Sequence, residues 1–264
     1  MKNIFIEGIQ GSGKTTLMRS LYEKLDGYHM YFEGDISPVE LAWCSYMTEE
    51  EYQRTLVEFP DLVSEIEKHA VKEENHFIVE YTRIMADRRA FYHYMEQYEI
   101  YNGRRSFDDF KDLILSRLKS FHGTGNLFEC SLFQNIIEEL LLFYCKPEEE
   151  VISFYREIFE VIKQKNFILL YVCSDDIEGN VLKIKEERSD ENGVEMWYPL
   201  MMRYLNDSPY GKKFEFVDIS DMIAHFKIRM DLELRIIKEI MGGYSMILPA
   251  KTYDIEDVIN KMEE

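Results

Sequence analysis

The stretch that most restricts how this chain can fold is residues 8–15, Gly-Ile-Gln-Gly-Ser-Gly-Lys-Thr, which fits the pattern G-x-x-x-x-G-K-[ST] of Walker A loops. Such a loop works between a strand and a helix, where a glycine turn aims successive backbone N–H groups at a phosphate and the helix adds its positive end. Both flanks are present. Residues 3–7 (NIFIE) are a β-rich run, and residues 12–25 carry Leu17, Leu21 and Leu25 at helical spacing. In this setting Gly8, Gly11, Ser12, Gly13, Lys14, Thr15 and Thr16 are the candidate nucleotide-binding residues. Lys14 would reach the β- and γ-phosphates, and Thr15 would place its hydroxyl on Mg²⁺. The ligands expected are therefore ATP or GTP and Mg²⁺.

Further strands are predicted at 28–33, 126–130, 167–173 and 244–248, with helical stretches at 134–145, 148–165 and 219–241. Strands alternating with helices predict an α/β fold of the P-loop NTPase kind, a five-stranded parallel sheet flanked by helices. The span between the second and third strands is far too long for one crossover helix. Residues 39–121 are therefore expected to form a helical insertion on the substrate side, and residues 174–213 a lid. No internal repeat and no Pro/Ser-rich linker divides the sequence, so one domain over residues 1–264 is expected.

Charge narrows the partners. With 31 Lys plus Arg against 50 Asp plus Glu the net charge is -19, which repels nucleic acid and anionic lipid alike. Neither is expected as a partner, and any phosphate site must be a local pocket of cations and amides. Cys44, Cys130, Cys145 and Cys173 lie in apolar contexts without C-x-x-C spacing and read as reduced core residues. The six histidines show no metal-ligand spacing. The amino terminus leads straight into a strand and no apolar run is long enough to span a bilayer, so the expected location is the cytoplasm. The apolar run at 140–143 fits either the core or the seam of a homodimer.

Four further places carry candidate chemistry. Glu129 closes the third strand, where an acidic residue on the Mg²⁺ side belongs. Glu33 and Asp35 end the second strand; either is a candidate for taking the proton from an acceptor hydroxyl, with Glu33 favoured because it continues the strand. Arg188 ends a basic cluster that begins at Lys183, and Tyr210-Gly211-Lys212-Lys213 forms another, both suited to a cationic lid. Arg117 in the insertion is a candidate contact for an anionic or polar acceptor. The plain alternatives are carboxylates that leave their strands for solvent and lysines paired with Glu186 and Glu187 on an exposed helix face.

On these residues the sequence resembles the P-loop kinases of the nucleoside and nucleotide monophosphate kinase fold, most closely the deoxynucleoside kinases. Three segments carry the likeness: the loop GIQGSGKTT; Tyr31-Phe32-Glu33 leading to Pro38-Val39 and Trp43; and Leu115-Ser116-Arg117 followed by Leu127-Phe128-Glu129-Cys130-Ser131. The resemblance implies Lys14 and Thr15 as phosphate and metal contacts, Glu33 as the base, Arg117 as a substrate contact and Glu129 as a second acidic residue at the metal. Two departures stand out. Four residues separate Glu33 from Pro38 where the family places proline at once, and Cys130 stands where the family has an arginine that orients the acceptor. The segments Phe-Glu-Gly-Asp, Phe-Glu-Cys-Ser-Leu-Phe-Gln-Asn and Tyr-Gly-Lys-Lys look more like bacterial kinase-like P-loop proteins. The expected activity is phosphotransfer from ATP to a small hydroxyl-bearing metabolite, nucleoside-like acceptors included. The alternative is a nucleotide-responsive binding protein, or an NTPase without a small acceptor.

Overall fold

Every side chain of Asn3–Glu7 is buried, which a strand tolerates only inside a sheet covered on both faces. In the computed structural model this strand, β1, is the middle of a five-stranded sheet. The structure describes residues 1–87, 89–189 and 193–263. In chain order, β1 is followed by α1 (Lys14–Lys24), β2 (His29–Tyr31), β3 (Ser45–Thr48), α2 (Glu49–Glu58), α3 (Val63–Lys68), β4 (Ala70–Glu73) and β5 (His76–Val79). Next come α4 (Arg89–Glu96), α5 (Phe107–Ser120), β6 (Asn126–Glu129), α6 (Gln134–Glu138), α7 (Glu148–Ile162) and β7 (Phe167–Cys173). The remaining elements are α8 (Ile177–Glu187), α9 (Trp197–Asp207), α10 (Pro209–Lys213), α11 (Ile219–Ile236), β8 (Ser245–Pro249) and α12 (Ile255–Glu263).

The chain divides into two compact units, one of Met1–Met30 with His122–Glu264 and one of Tyr31–Phe121. In the first, the strand order is β2-β6-β1-β7-β8, all parallel, and helices flank the sheet. Register fixes what meets at the carboxyl edge. Ile6 lies beside Glu129 of β6, and Glu7 beside Tyr171 of β7. All five expected strands are present, with β2 shorter than expected. Glu33 does not continue that strand: the Asp35 N–H donates to the Phe32 carbonyl, the Phe32 N–H donates to the Asp35 carboxylate, and Gly34 takes φ 92, so a turn replaces it. The helix expected at 134–145 is α6 continued by a π turn at Glu139–Phe143, and α11 likewise runs into a π turn at Ile237–Met241. Leu140, Leu141 and Leu142 are buried within the chain, which answers their apolar run as core.

The second unit holds the expected insertion, but it is not wholly helical. Besides α2, α3, α4 and α5 it contains an antiparallel sheet in the order β3-β5-β4. β4 and β5 form a hairpin in which Glu73 faces His76, leaving Glu74 and Asn75 as a two-residue loop with Glu74 at φ 53. Met47, Tyr52, Phe59, Val79, Phe91 and Met95 build the core of this unit. Its aromatics pack on one another, Tyr52 stacked on Phe77 at 3.9 Å and Phe59 edge-on to Phe91 at 5.2 Å, so these rings are core.

All four cysteines are reduced, outside any disulfide. Cys44 and Cys130 are buried, but Cys145 is exposed and Cys173 half-buried, against the expectation of four core thiols. Cys145 sits past the π turn at φ 48, where the chain leaves the helix ahead of Pro147. Among the described residues no helix is long and apolar enough to cross a membrane.

Candidate functional site

Residues 8–13 connect the carboxyl end of β1 to α1, and two glycines are demanded by geometry. A Cβ on Gly8, at φ 142, would come within 2.5 Å of the Val172 carbonyl oxygen on β7. Gly13, at φ 103, is the residue before α1, and a Cβ there would meet nothing within 4 Å, so backbone conformation alone selects glycine. With glycine in that position no side chain caps α1, and its first turn carries no acidic residue. The leading N–H groups of an eleven-residue helix, and the positive end of its dipole, therefore face the loop. Ser12 is buried and its hydroxyl has no partner among the described residues. An orphaned hydroxyl and uncapped amides are the donor set that a phosphate satisfies.

Lys14 opens α1 with its side chain folded back over the loop. Its ammonium, on a residue only 7 % exposed, donates to the carbonyls of Gly8 at 2.9 Å and Ile9 at 3.0 Å and to Gln134 Oε1 at 3.1 Å. All three protons have acceptors, which offsets the cost of burying the group. Thr15 and Thr16 follow on the exposed side of the helix. The Thr15 hydroxyl donates to the Glu129 carboxylate at the end of β6. The two residues expected at the metal thus touch, and they offer two hard oxygen donors. A Mg²⁺ ion bound by one or two protein oxygens takes its other ligands from phosphates and water, so the pair fits that ion. Among the described residues no cluster of three or more His, Cys, Asp or Glu could hold a metal without such help.

Beneath the loop lies a set of buried charges that sequence reasoning missed. Glu7, directly before Gly8, accepts the N–H groups of Leu132 at 2.6 Å and Gln134 at 3.2 Å, and burial, with Glu233 nearby, pushes its carboxyl up to about 7. On α11, Arg229 is fully buried between Glu138 of α6 and Glu233 one turn further on. Burial alone would raise Glu138, but His225 at 2.6 Å and Arg229 outweigh it and hold this carboxyl down at about 2. Glu233 goes the other way, raised by burial although Arg229 and the Tyr171 hydroxyl at 2.6 Å oppose the rise. Arg229 Nη2 donates to Gln10 Oε1 in the loop at 2.7 Å, whereas Nε meets Glu233 at 3.1 Å as an ion pair without hydrogen-bond geometry. A helical spacing of four between Arg229 and Glu233 was readable; that the pair is buried under the loop was not.

Helix α8 lies against the loop, since a Cβ on Gly11 would meet Ile184 Cδ1 at 2.7 Å and Asn180 Cβ at 3.2 Å. Arg188 stands four residues beyond Ile184, exposed, at the end of that helix. Its lysine neighbours are paired, Lys183 with Glu187 at 3.2 Å and Lys185 with Glu195 at 3.1 Å. The second basic cluster forms α10, where Lys213 sits over the Phe214 ring. Residues 190–192 of the expected lid lie outside the described residues.

In the second unit Glu33 is half-buried and accepts the Trp43 indole N–H at 3.2 Å. Trp43 takes φ 60, a backbone region costly for a bulky residue. Asp35 is committed to the turn, accepting the Phe32 N–H and the Arg83 guanidinium. Arg117, 3 % exposed, donates to the Ser37 carbonyl at 2.6 Å and to Glu73. Between the fields of Glu33 and Arg117 lies an unforeseen carboxyl, Glu40, which is buried, accepts the Ala42 N–H and is pushed up to about 8 by burial. Glu99 is a second buried carboxyl, raised to about 7 by burial while accepting from Tyr81 and Asn102. No pattern along the chain marks Glu40 or Glu99, because burial is a property of the packed unit.

No protein-family model matches this chain, and neither does any curated protein sequence.

Proposed function

We propose that the chain binds a nucleoside triphosphate with Mg²⁺ at residues 8–16 and transfers the γ-phosphate to a small hydroxyl-bearing metabolite, as a cytoplasmic P-loop kinase. One observation carries the reading: the Thr15 hydroxyl meets the Glu129 carboxylate beside an uncapped helix start that also bears Lys14. In this reading Lys14 exchanges its contacts with the Gly8 and Ile9 carbonyls for phosphate oxygens. The amides of Gly11, Ser12 and Gly13 and the Ser12 hydroxyl take the β-phosphate. Thr15 and Glu129 hold Mg²⁺, which when bound neutralises charge on the phosphates. Glu33 removes the acceptor's proton, with Asp35 held by Arg83 as the weaker candidate, Arg117 orients the acceptor, and Arg188 screens charge on the phosphates. The likeness to deoxynucleoside kinases supports a nucleoside-like acceptor.

Incubation of the protein with radiolabelled ATP, Mg²⁺ and a metabolite panel tests the proposal, with Lys14→Ala alongside. Acceptor-dependent label transfer by the native protein, absent from the variant, is the expected result. Transfer that survives Lys14→Ala would sink it. A second reading, nucleotide binding or hydrolysis without an acceptor, draws on Cys130: this buried residue at φ 57 puts a thiol where the similar kinases carry an arginine. Nucleotide binding or phosphate release that no acceptor stimulates would favour that reading.

A further inference from the structure

Arg229 is the largest fully buried side chain among the described residues, and burying a guanidinium is costly enough that an apolar residue of similar volume often serves stability as well. What an arginine adds is direction: a planar fork with donors at fixed angles. Two edges of this fork face Glu138 and Glu233, which together already supply its counter-charges. The third contact, Nη2 to Gln10 Oε1 at 2.7 Å, adds no charge balance. It joins α11 to the loop across 219 residues of sequence. Both carboxylates are in turn held, Glu138 by His225 at 2.6 Å and Glu233 by the Tyr171 hydroxyl at 2.6 Å. Tyr171 lies beside Glu7 on the strand next to β1. The guanidinium is thus oriented from α6, α11 and β7, the frame on which the loop is mounted. Gln10 sits between Ile9, which is anchored in the core with Val181 and Phe226, and Gly11, which touches α8. Among the described residues it is the side chain of the loop that this buried frame grips through a polar bond.

We propose that Arg229 is a positioning residue for the glycine loop: through Gln10 it holds residues 8–13 in the conformation that receives the phosphates of a nucleotide. The proposal rests on the nucleotide-binding reading given above, and its test separates the two. A purely structural Arg229, tying α11 to α6, predicts that loss of Gln10 leaves loop exchange and nucleotide binding as in the native protein, because both carboxylates remain.

The experiment compares native protein, Gln10→Ala and Arg229→Lys by three measurements: hydrogen–deuterium exchange of the amides at 8–13, equilibrium binding of Mg²⁺ with a non-hydrolysable ATP analogue, and the urea midpoint. For Gln10→Ala the expected result is faster exchange confined to the loop and about tenfold weaker nucleotide binding, because the loop must then be ordered by the nucleotide itself, with the midpoint lowered by no more than the loss of one hydrogen bond to a charged group. Arg229→Lys keeps the charge and loses the fork, so it should show the same loop exchange whatever its midpoint. Loop exchange equal to native in Gln10→Ala would overturn the proposal. A native protein that binds no nucleotide, with exchange still faster in Gln10→Ala, would remove the functional reading and leave Arg229 as the residue that shapes the loop.

Discussion

At Lys14 the chain satisfies an ammonium in a nearly closed environment by giving it three oxygen acceptors, two of them carbonyls of the loop itself. An anion at the loop would compete with those carbonyls, so Lys14→Ala should weaken binding of Mg²⁺ with ATP by roughly ten- to a hundredfold, the worth of a charge-assisted hydrogen bond. Titration calorimetry reads this directly, and native-like affinity in the variant would exclude Lys14 as a phosphate contact. Thr15 gives a sharper contrast. Because it is the hydroxyl that meets Glu129, Thr15→Ser should bind the Mg²⁺ nucleotide as the native protein does, whereas Thr15→Val, similar in shape but without the oxygen, should lose Mg²⁺-dependent affinity. Gly13→Ala tests backbone rather than chemistry: with open space around a new Cβ and φ at 103, the strain of the left-handed region should cost about 1–2 kcal/mol, read as a lower urea midpoint.

Among the elements, the helix starts show how local rules decide boundaries. Helix α2 begins with a complete capping box, in which the Thr48 hydroxyl accepts the Glu51 N–H and the Glu51 carboxylate accepts the Thr48 N–H. Thr48→Ala should therefore lower stability by about 1 kcal/mol, and an unchanged denaturation midpoint would show that α2 is held by packing alone. Helix α1 is the deliberate contrast, capped by no side chain because its leading amides belong to the loop. The strands β3, β4 and β5 escaped a reading by hydrophobic period for a physical reason: each is four residues long, too short to establish alternation. Their pairing is a tertiary event, in which Ser45 finds Val79 across a long sequence separation. The early end of β2 has a similar origin, since the Phe32–Asp35 turn is fixed partly by Asp35 meeting Arg83.

The whole molecule carries its excess negative charge together with several carboxyls buried where charge is unwelcome. Glu7, Glu99 and Glu40 are raised to about 7, 7 and 8 from an ordinary value of 4.5. A carboxyl whose folded-state pKa is raised favours the folded state while protonated, and that contribution is lost as pH climbs from the unfolded value through the folded one. Stability should consequently fall between about pH 5 and pH 8, on the order of a few kcal/mol for Glu40 alone. Glu138, held at about 2, acts oppositely and only at much lower pH. Urea midpoints from pH 5 to 8 check this. Glu40→Gln should flatten the slope, and a native midpoint that rises over that range would contradict the burial argument. By itself the sequence determined the strand–loop–helix at residues 3–25 and the strands that follow it, because those rest on short spacings and on the obligatory geometry of glycine. Tertiary structure alone decided that Thr15 and Glu129 touch, that Glu33 lies in a turn, that burial raises the carboxyls of Glu7, Glu40 and Glu99, and that Arg229 bonds Gln10 of the loop. Each of these depends on burial and on contacts between residues far apart in the chain, and neither quantity exists until the chain is packed.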